Sequence, residues 1–220
     1  MKPERMAPVA VVAHSLVSTT GVGLATRLHA LREGRHALVA NGRPNTYTPT
    51  PLATWVGAVP GMMARPWPAA WAAWDCRAKR LAWLAWLGLQ ADGFISAAHA
   101  ACQRHGTARV GLVLGTSAST IGASGHAWRM PAADGGFAAP LRHEALNTLH
   151  ALADFVQRAL GLQGPCATVS NGCCGSSSSS SSSSSAKAFA QAERWLRLGL
   201  VDALVVGGVD ALCPYPPRSR

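Results

Sequence analysis

Acidic residues are scarce in this chain. Ten of its 220 residues are Asp or Glu against twenty Lys or Arg, and charged residues make up only 14%. So little charge, beside 49% apolar residues, excludes a solvated disordered chain and implies one ordinary domain with a sizeable core. Tyr and Phe are also few, two and four, whereas Trp occurs eight times. No C-x-x-C pair occurs among the six cysteines (76, 102, 166, 173, 174 and 213), which excludes a zinc ribbon and a redox dithiol. No two histidines have the i, i+4 spacing of a helical metal pair; His99 and His105, and His143 and His150, miss it. Every long apolar stretch is interrupted by Arg, Asp or Gly, so no membrane span is expected. The apolar run in "MKPERMAPVAVVAHSL" is too short and too weakly flanked for a secretory signal, which leaves a cytoplasmic protein as the expectation. No block of consecutive Lys/Arg and no aromatic-basic interleaving marks a nucleic-acid surface. The net charge of +10 is then either arginine scattered over solvated faces or attraction to an acidic partner, such as a carrier protein or an anionic membrane.

What is present alternates strand and helix. "VAVVA" (9–13) reads as a short buried strand, and 21–34 as a helix with Leu24, Leu28 and Leu31 on one face and Gly34 as its stop. Residues 41–70, rich in Pro, Gly and Thr, read as irregular. Residues 69–106 look largely helical with a break near Gly93, their tryptophans serving core or interface. "RVGLVLGTS" (109–117) is a second buried strand, and 119–140 is loop. A helix over 143–164 places Leu146, Leu149, Ala153, Val156 and Leu160 on one face. "CATVS" (166–170) is a third strand, a helix with Phe189, Ala192, Leu196 and Leu200 on one face follows, and 202–212 supplies a fourth strand. This order predicts an α/β architecture, a mainly parallel mixed sheet covered by helices on both faces.

The chemistry concentrates at "CATVSNGCC". A buried strand ends at Ser170, Asn171 and Gly172 permit a tight turn, Cys173 follows, and a helix comes after. A thiol at a strand-to-helix turn is exposed at the sheet edge and feels the helix N-terminus, which lowers its pKa from about 8.5. Such a thiolate can attack a thioester and hold an acyl group. The alternative at this point is a small cysteine used for packing.

"GPCATVSNGCC", followed by "SSSAKAFAQAERWLRLGLVDALVVGGVDALC", resembles the signature of β-ketoacyl-acyl-carrier-protein synthases. "VAVVAHSLVSTTGVGLATRLHALREGRHAL", "WDCRAKRLAW" and "VGLVLGTSAST" are similar to other family segments, so that the resemblance runs from about 8 to 213. It implies the N-terminal half of a thiolase-like fold, one N-terminal synthase domain over 1–220. A low-complexity serine insertion occupies 176–185 and a divergent tail 214–220. It also implies an acyltransferase of fatty-acid or polyketide type, with no cofactor and no metal. Cys173 matches the nucleophile, Asn171 the usual Thr and Gly172 the usual Ala; Cys174 is a competing candidate. Counting back from the helix instead would put a serine near position 182 in that slot.

By the family mechanism, Cys173 accepts an acyl chain from a carrier-protein or coenzyme A thioester. Malonyl carrier protein then loses carbon dioxide, and the carbanion attacks the acyl-enzyme, with backbone N–H groups stabilising the oxyanion. Acyl carrier protein is the implied partner, and a homo- or heterodimer is expected. The family's two histidines, its lysine and its glycine-rich oxyanion segment lie in a second half. They have no counterpart here, so elongation by this chain alone is not expected. The alternatives are a non-catalytic half-protein that pairs with a complete synthase, and a thiolase-type coenzyme A enzyme.

Overall fold

Strand β5 (Val110–Gly115) is buried along its whole length and organises the molecule. A computed structural model describes residues 8–41, 53–87, 92–117, 119–120, 123, 136, 144–170 and 180–211. In it β5 is the middle of a three-stranded parallel sheet, flanked by β6 (Cys166–Val169) and β7 (Ala203–Gly208). Leu112 pairs with Cys166 on one side and with Val205 on the other. Two antiparallel ribbons stand apart from this sheet: β1 (Val17–Ser18) with β2 (Gly21–Val22), and β3 (Leu38–Ala40) with β4 (Trp55–Gly57). The predicted α/β architecture with a parallel sheet and helices is therefore observed.

Side chains alternate along β5. Val110, Leu112 and Leu114 enter a large core with Phe155, Leu152 and Val156 of α5 (Ala151–Ala159). A 3₁₀ segment (Ala69–Trp74) and α2 (Arg77–Ala82) pack into the same layer. Trp67, Trp71, Trp74 and Trp83 surround Phe155, with ring centroids 5.2–6.3 Å from it. Trp71, Trp74 and Trp83 thus belong to the core, one of the two roles expected of the tryptophans in this segment. The other face of β5 carries Gly111, Val113 and Gly115, and α6 (Ser180–Arg197) lies against it through Ala188 and Ala192. A Cβ added to Gly115 would stand 3.3 Å from the Ser184 backbone, so a side chain there would push the helix back by a few tenths of an ångström.

Several expected elements differ. Residues 9–13 form no strand; Val11 and Val12 are 76% and 87% exposed, because an apolar run is buried only if a neighbouring strand or helix covers it. Helix α1 (Leu24–Arg32) does end at Gly34, whose φ of +62° lets Arg35 N–H reach the Ala30 carbonyl. It buries Ala30, however, and leaves Leu28 and Leu31 exposed. The stretch expected to be irregular contains β4. Residues 69–106 are helical in pieces, with extended backbone at Asp75 and Cys76, a π turn over Trp83–Leu87, and α3 (Phe94–His105) beginning after a left-handed Gly93. The helix expected over 143–164 is two, α4 (Glu144–Asn147) and α5, and Leu149 between them is exposed. The buried face of α6 is Ser184, Ala188 and Ala192, whereas Phe189 and Leu200 face outward.

Candidate functional site at the carboxyl edge of the parallel sheet

Parallel strands deliver their following loops to one edge, which is where α/β proteins place ligands. Strands β5, β6 and β7 end there at Gly115, Val169 and Gly208. Ser170 is the last described residue after β6, and α6 is described from Ser180 onward. The intervening segment carries Asn171, Gly172, Cys173 and Cys174, and these lie outside the described residues. So does Cys213, and with it the tail from 212 onward. The second half of the serine tract is helical: Ser184 is 3% exposed, packed against Gly115, and Ser185 Oγ lies 3.6 Å from the place of a Cβ on Gly208.

A polar knot not foreseen from sequence stabilises the same edge. Asp210 Oδ1 accepts hydrogen bonds from Ser117 N–H (2.7 Å), Ser117 Oγ (2.7 Å) and Thr116 Oγ1 (3.3 Å). Thr116 N–H donates to the Val169 carbonyl (3.1 Å), and Val209 N–H to the Gly115 carbonyl (3.1 Å). Ser119, at a left-handed φ of 42°, donates its N–H to Thr116 Oγ1 (2.9 Å) and its hydroxyl to the Leu149 carbonyl (3.0 Å). Thr120 Oγ1 donates to the Leu146 carbonyl (2.9 Å). The chain leaving β5 is thereby tied to β6, to β7 and to the α4–α5 junction. The sequence signal was present: "GTS" and "GGVD" are both strand ends, and their register sets Gly115 opposite Gly208.

Lys79 of α2 is wholly buried. Its ammonium donates to the Ala145 carbonyl of α4 and sits 4.7 Å from the Trp74 ring centre. Burial lowers its pKa to about 8, against the opposing pull of Cys76 and Asp154. Asp75, in the "WDCRAKR" segment, is held bidentately by Arg80, at 2.6 Å (Nε to Oδ1) and 2.5 Å (Nη2 to Oδ2), and serves as a clamp on the start of α2.

The three described cysteines are free, and burial keeps each of them a thiol. The pKa is raised at Cys76 and Cys102 and pushed up to about 11 at Cys166, where Asp154 adds to burial. Among the described residues no group of three or more His, Cys, Asp or Glu could hold a metal ion. His99 and His150 are exposed, and His105 lies 4.0 Å from Asp202. Among the described residues no helix is long and apolar enough to cross a membrane.

The fold defined by this sheet and its helices is a fragment of the thiolase-like fold. Among solved structures the chain is similar to a β-ketoacyl synthase from Burkholderia phymatum STM815, with a TM-score of 0.58 and 18% sequence identity. The match covers 87% of this chain and 44% of that one, so the chain spans less than half the length of that synthase. No protein-family model matches the chain, and no curated protein does.

Proposed function

We propose that the chain carries the acyl-accepting half of a β-ketoacyl-acyl-carrier-protein synthase-like condensing site, with Cys173 as nucleophile. The observation that carries this reading is placement. Strand β6 runs parallel to β5 to the carboxyl edge, and α6 packs against the same sheet, so the segment between them links a strand end at that edge to a helix, which supports the reading. In the step proposed, the Cys173 thiolate attacks an acyl thioester. The new C–S bond forms, the carrier's C–S bond breaks, and the carrier leaves as a thiolate that takes a proton from solvent. Acyl carrier protein is the proposed donor; the charge of +10 suits an acidic partner in the cytoplasm. Condensation with malonyl carrier protein is the proposed activity of the whole site, formed within a homo- or heterodimer.

The test is acylation of the purified chain by a short-chain acyl thioester, mapped by peptide mass spectrometry. One acyl group on Cys173, lost in Cys173→Ser and kept in Cys174→Ser, is expected. An adduct that follows Cys174 reassigns the nucleophile, and no adduct on either sinks the reading. Background from Cys76, Cys102 and Cys166 is expected to be low, because burial disfavours their thiolates.

A second reading, a non-catalytic subunit that pairs with a complete synthase, draws on the exposed Phe189, Leu198 and Leu200 on and just after α6. Concentration-dependent association without acylation would favour it.

A further inference from the structure

The parallel sheet has an open edge along β7. Asp202 N–H donates to the Arg109 carbonyl (2.9 Å), Leu112 N–H to the Pro165 carbonyl (3.0 Å) and Thr116 N–H to the Val169 carbonyl (3.1 Å). Successive residues of a strand turn their N–H and C=O groups to opposite sides, so odd-numbered residues of β5 serve β7 and even-numbered ones serve β6. On β7, Leu204 and Val206 then bond to β5, while Ala203, Val205 and Gly207 turn their backbone groups outward. Strand β7 is the last of the sheet, and among the described residues nothing pairs with these groups. Yet Val205 is a buried residue, 5% exposed. A buried backbone left without hydrogen bonds is costly, and native proteins rarely keep one. The edge also lacks the usual defences, since Ala203–Gly208 contains no charge and no proline. On the opposite edge β6 turns only Cys166 and Thr168 outward, a shorter run.

We infer that this edge pairs, antiparallel, with the same edge of a second copy of the chain, joining the two parallel sheets into one. The strand fits itself. A two-fold axis between two copies of Val205 sets Val205 opposite Val205 and Ala203 opposite Gly207. Every outward N–H then meets an outward C=O. No like charges meet. Asp202 falls opposite Gly208 and Asp210 opposite Leu200, and both acids are already held, by Arg109 (2.8 Å) and Ser117 (2.7 Å). The inference gives the dimer proposed above its surface, and it is independent of the role given to Cys173. Its test uses no acylation, so either reading can fail without the other.

The experiment follows the full chain by analytical ultracentrifugation over a concentration series, with amide exchange read by NMR. A monomer–dimer equilibrium is expected, and exchange at Val205 and Gly207 should slow as the dimer fills. Ala203→Pro removes an outward N–H that no bond within the chain uses, at the first position of the strand, where proline is tolerated. It should weaken the dimer by about tenfold or more. Phe189→Ser, on the outward side of α6, should leave the dimer unchanged. A chain that stays monomeric, or a dimer as tight in Ala203→Pro as in the wild type, overturns the inference. So does a dimer lost in Phe189→Ser. Wild-type dimer with unprotected Val205 and Gly207 amides overturns it as well, a readout that stands even if Ala203→Pro fails to fold.

Discussion

The two faces of the parallel sheet are packed by opposite means. On one face Phe155 and four tryptophans fill the space beneath α5, the 3₁₀ segment and α2 with large rings. On the other, α6 meets Val113 and Gly115 through Ser184, Ala188 and Ala192. Large side chains specify a position by shape and bury much apolar area each. Small ones bury little but let two backbones approach, which draws the start of α6 close to the carboxyl end of β5. The first face is expected to supply most of the stability, and the second sets how closely α6 approaches the sheet. Mutations should separate the two.

The largest loss is expected on the aromatic face. Phe155→Ala removes the ring at the centre of the cluster and should cost about 3–5 kcal/mol in chemical denaturation. If it cost no more than a surface change, the aromatic layer would not be the main source of stability. The same layer contains Lys79, and its charge makes a pH prediction. The folded-state pKa of about 8 lies below the unfolded value near 10.5, so burial opposes folding most at pH below 8, where both states are protonated. Between pH 8 and 10.5 the unfolded chain binds more protons and stability rises, by up to about 3 kcal/mol. Cys166 acts the other way: its raised pKa makes stability fall from pH 9 toward 11. The difference in unfolding free energy between wild type and Lys79→Met, measured across that range, isolates the lysine. It should shift in favour of the wild type as the pH rises.

How legible the two faces were follows from the same contrast. Strand β5 stood out as an apolar run because a central strand covered on both faces leaves few polar positions, and the flanking β6 and β7 carry apolar runs as well. The alternation within "VGLVLG", with Leu to one side and Gly to the other, was there to be read but looks continuous on a hydrophobicity scale. Helix α6 misled for the same reason. Weighting by size puts Phe189 and Leu200 on the inner face, whereas a helix packed against glycines needs Ser and Ala inward. The run at 9–13 misled differently: its composition fits a strand, but pairing depends on a partner that a single segment does not name. The serine tract read as an insertion, yet its second half forms the first turns of a packed helix. The carboxyl edge was legible as a place, through the strand ends, but not as a network. The bonds of Asp210 to Ser117 and of Ser119 to Leu149 join segments 93 and 30 residues apart.

On the small-residue face the effects should be smaller in energy and larger in function. Gly115→Val drives a branched side chain into the Ser184 backbone, which must move because a helix backbone cannot rotate aside as a side chain can. About 1–3 kcal/mol of stability should be lost. On the reading proposed for Cys173, its acylation rate should fall by more than that loss explains, since catalytic geometry tolerates little displacement. A variant that is destabilised but acylates normally would break the link between close packing and placement.

The finest discrimination lies at Ser184 itself. Leucine at this position should be costly as well, because Ser184 is buried and a larger side chain there would have to displace its neighbours. Alanine keeps the small volume, and its better helix propensity, worth about 0.5 kcal/mol, offsets what the hydroxyl contributes. Ser184→Ala should therefore leave the unfolding free energy within about 0.5 kcal/mol of the wild type and the acylation rate unchanged. If alanine and leucine were equally damaging, the hydroxyl rather than its size would matter at this contact, and the serines would be there for their chemistry. If alanine is silent and leucine is not, the serine tract enters the fold as a set of small residues, and its inner turn is selected by the glycine opposite.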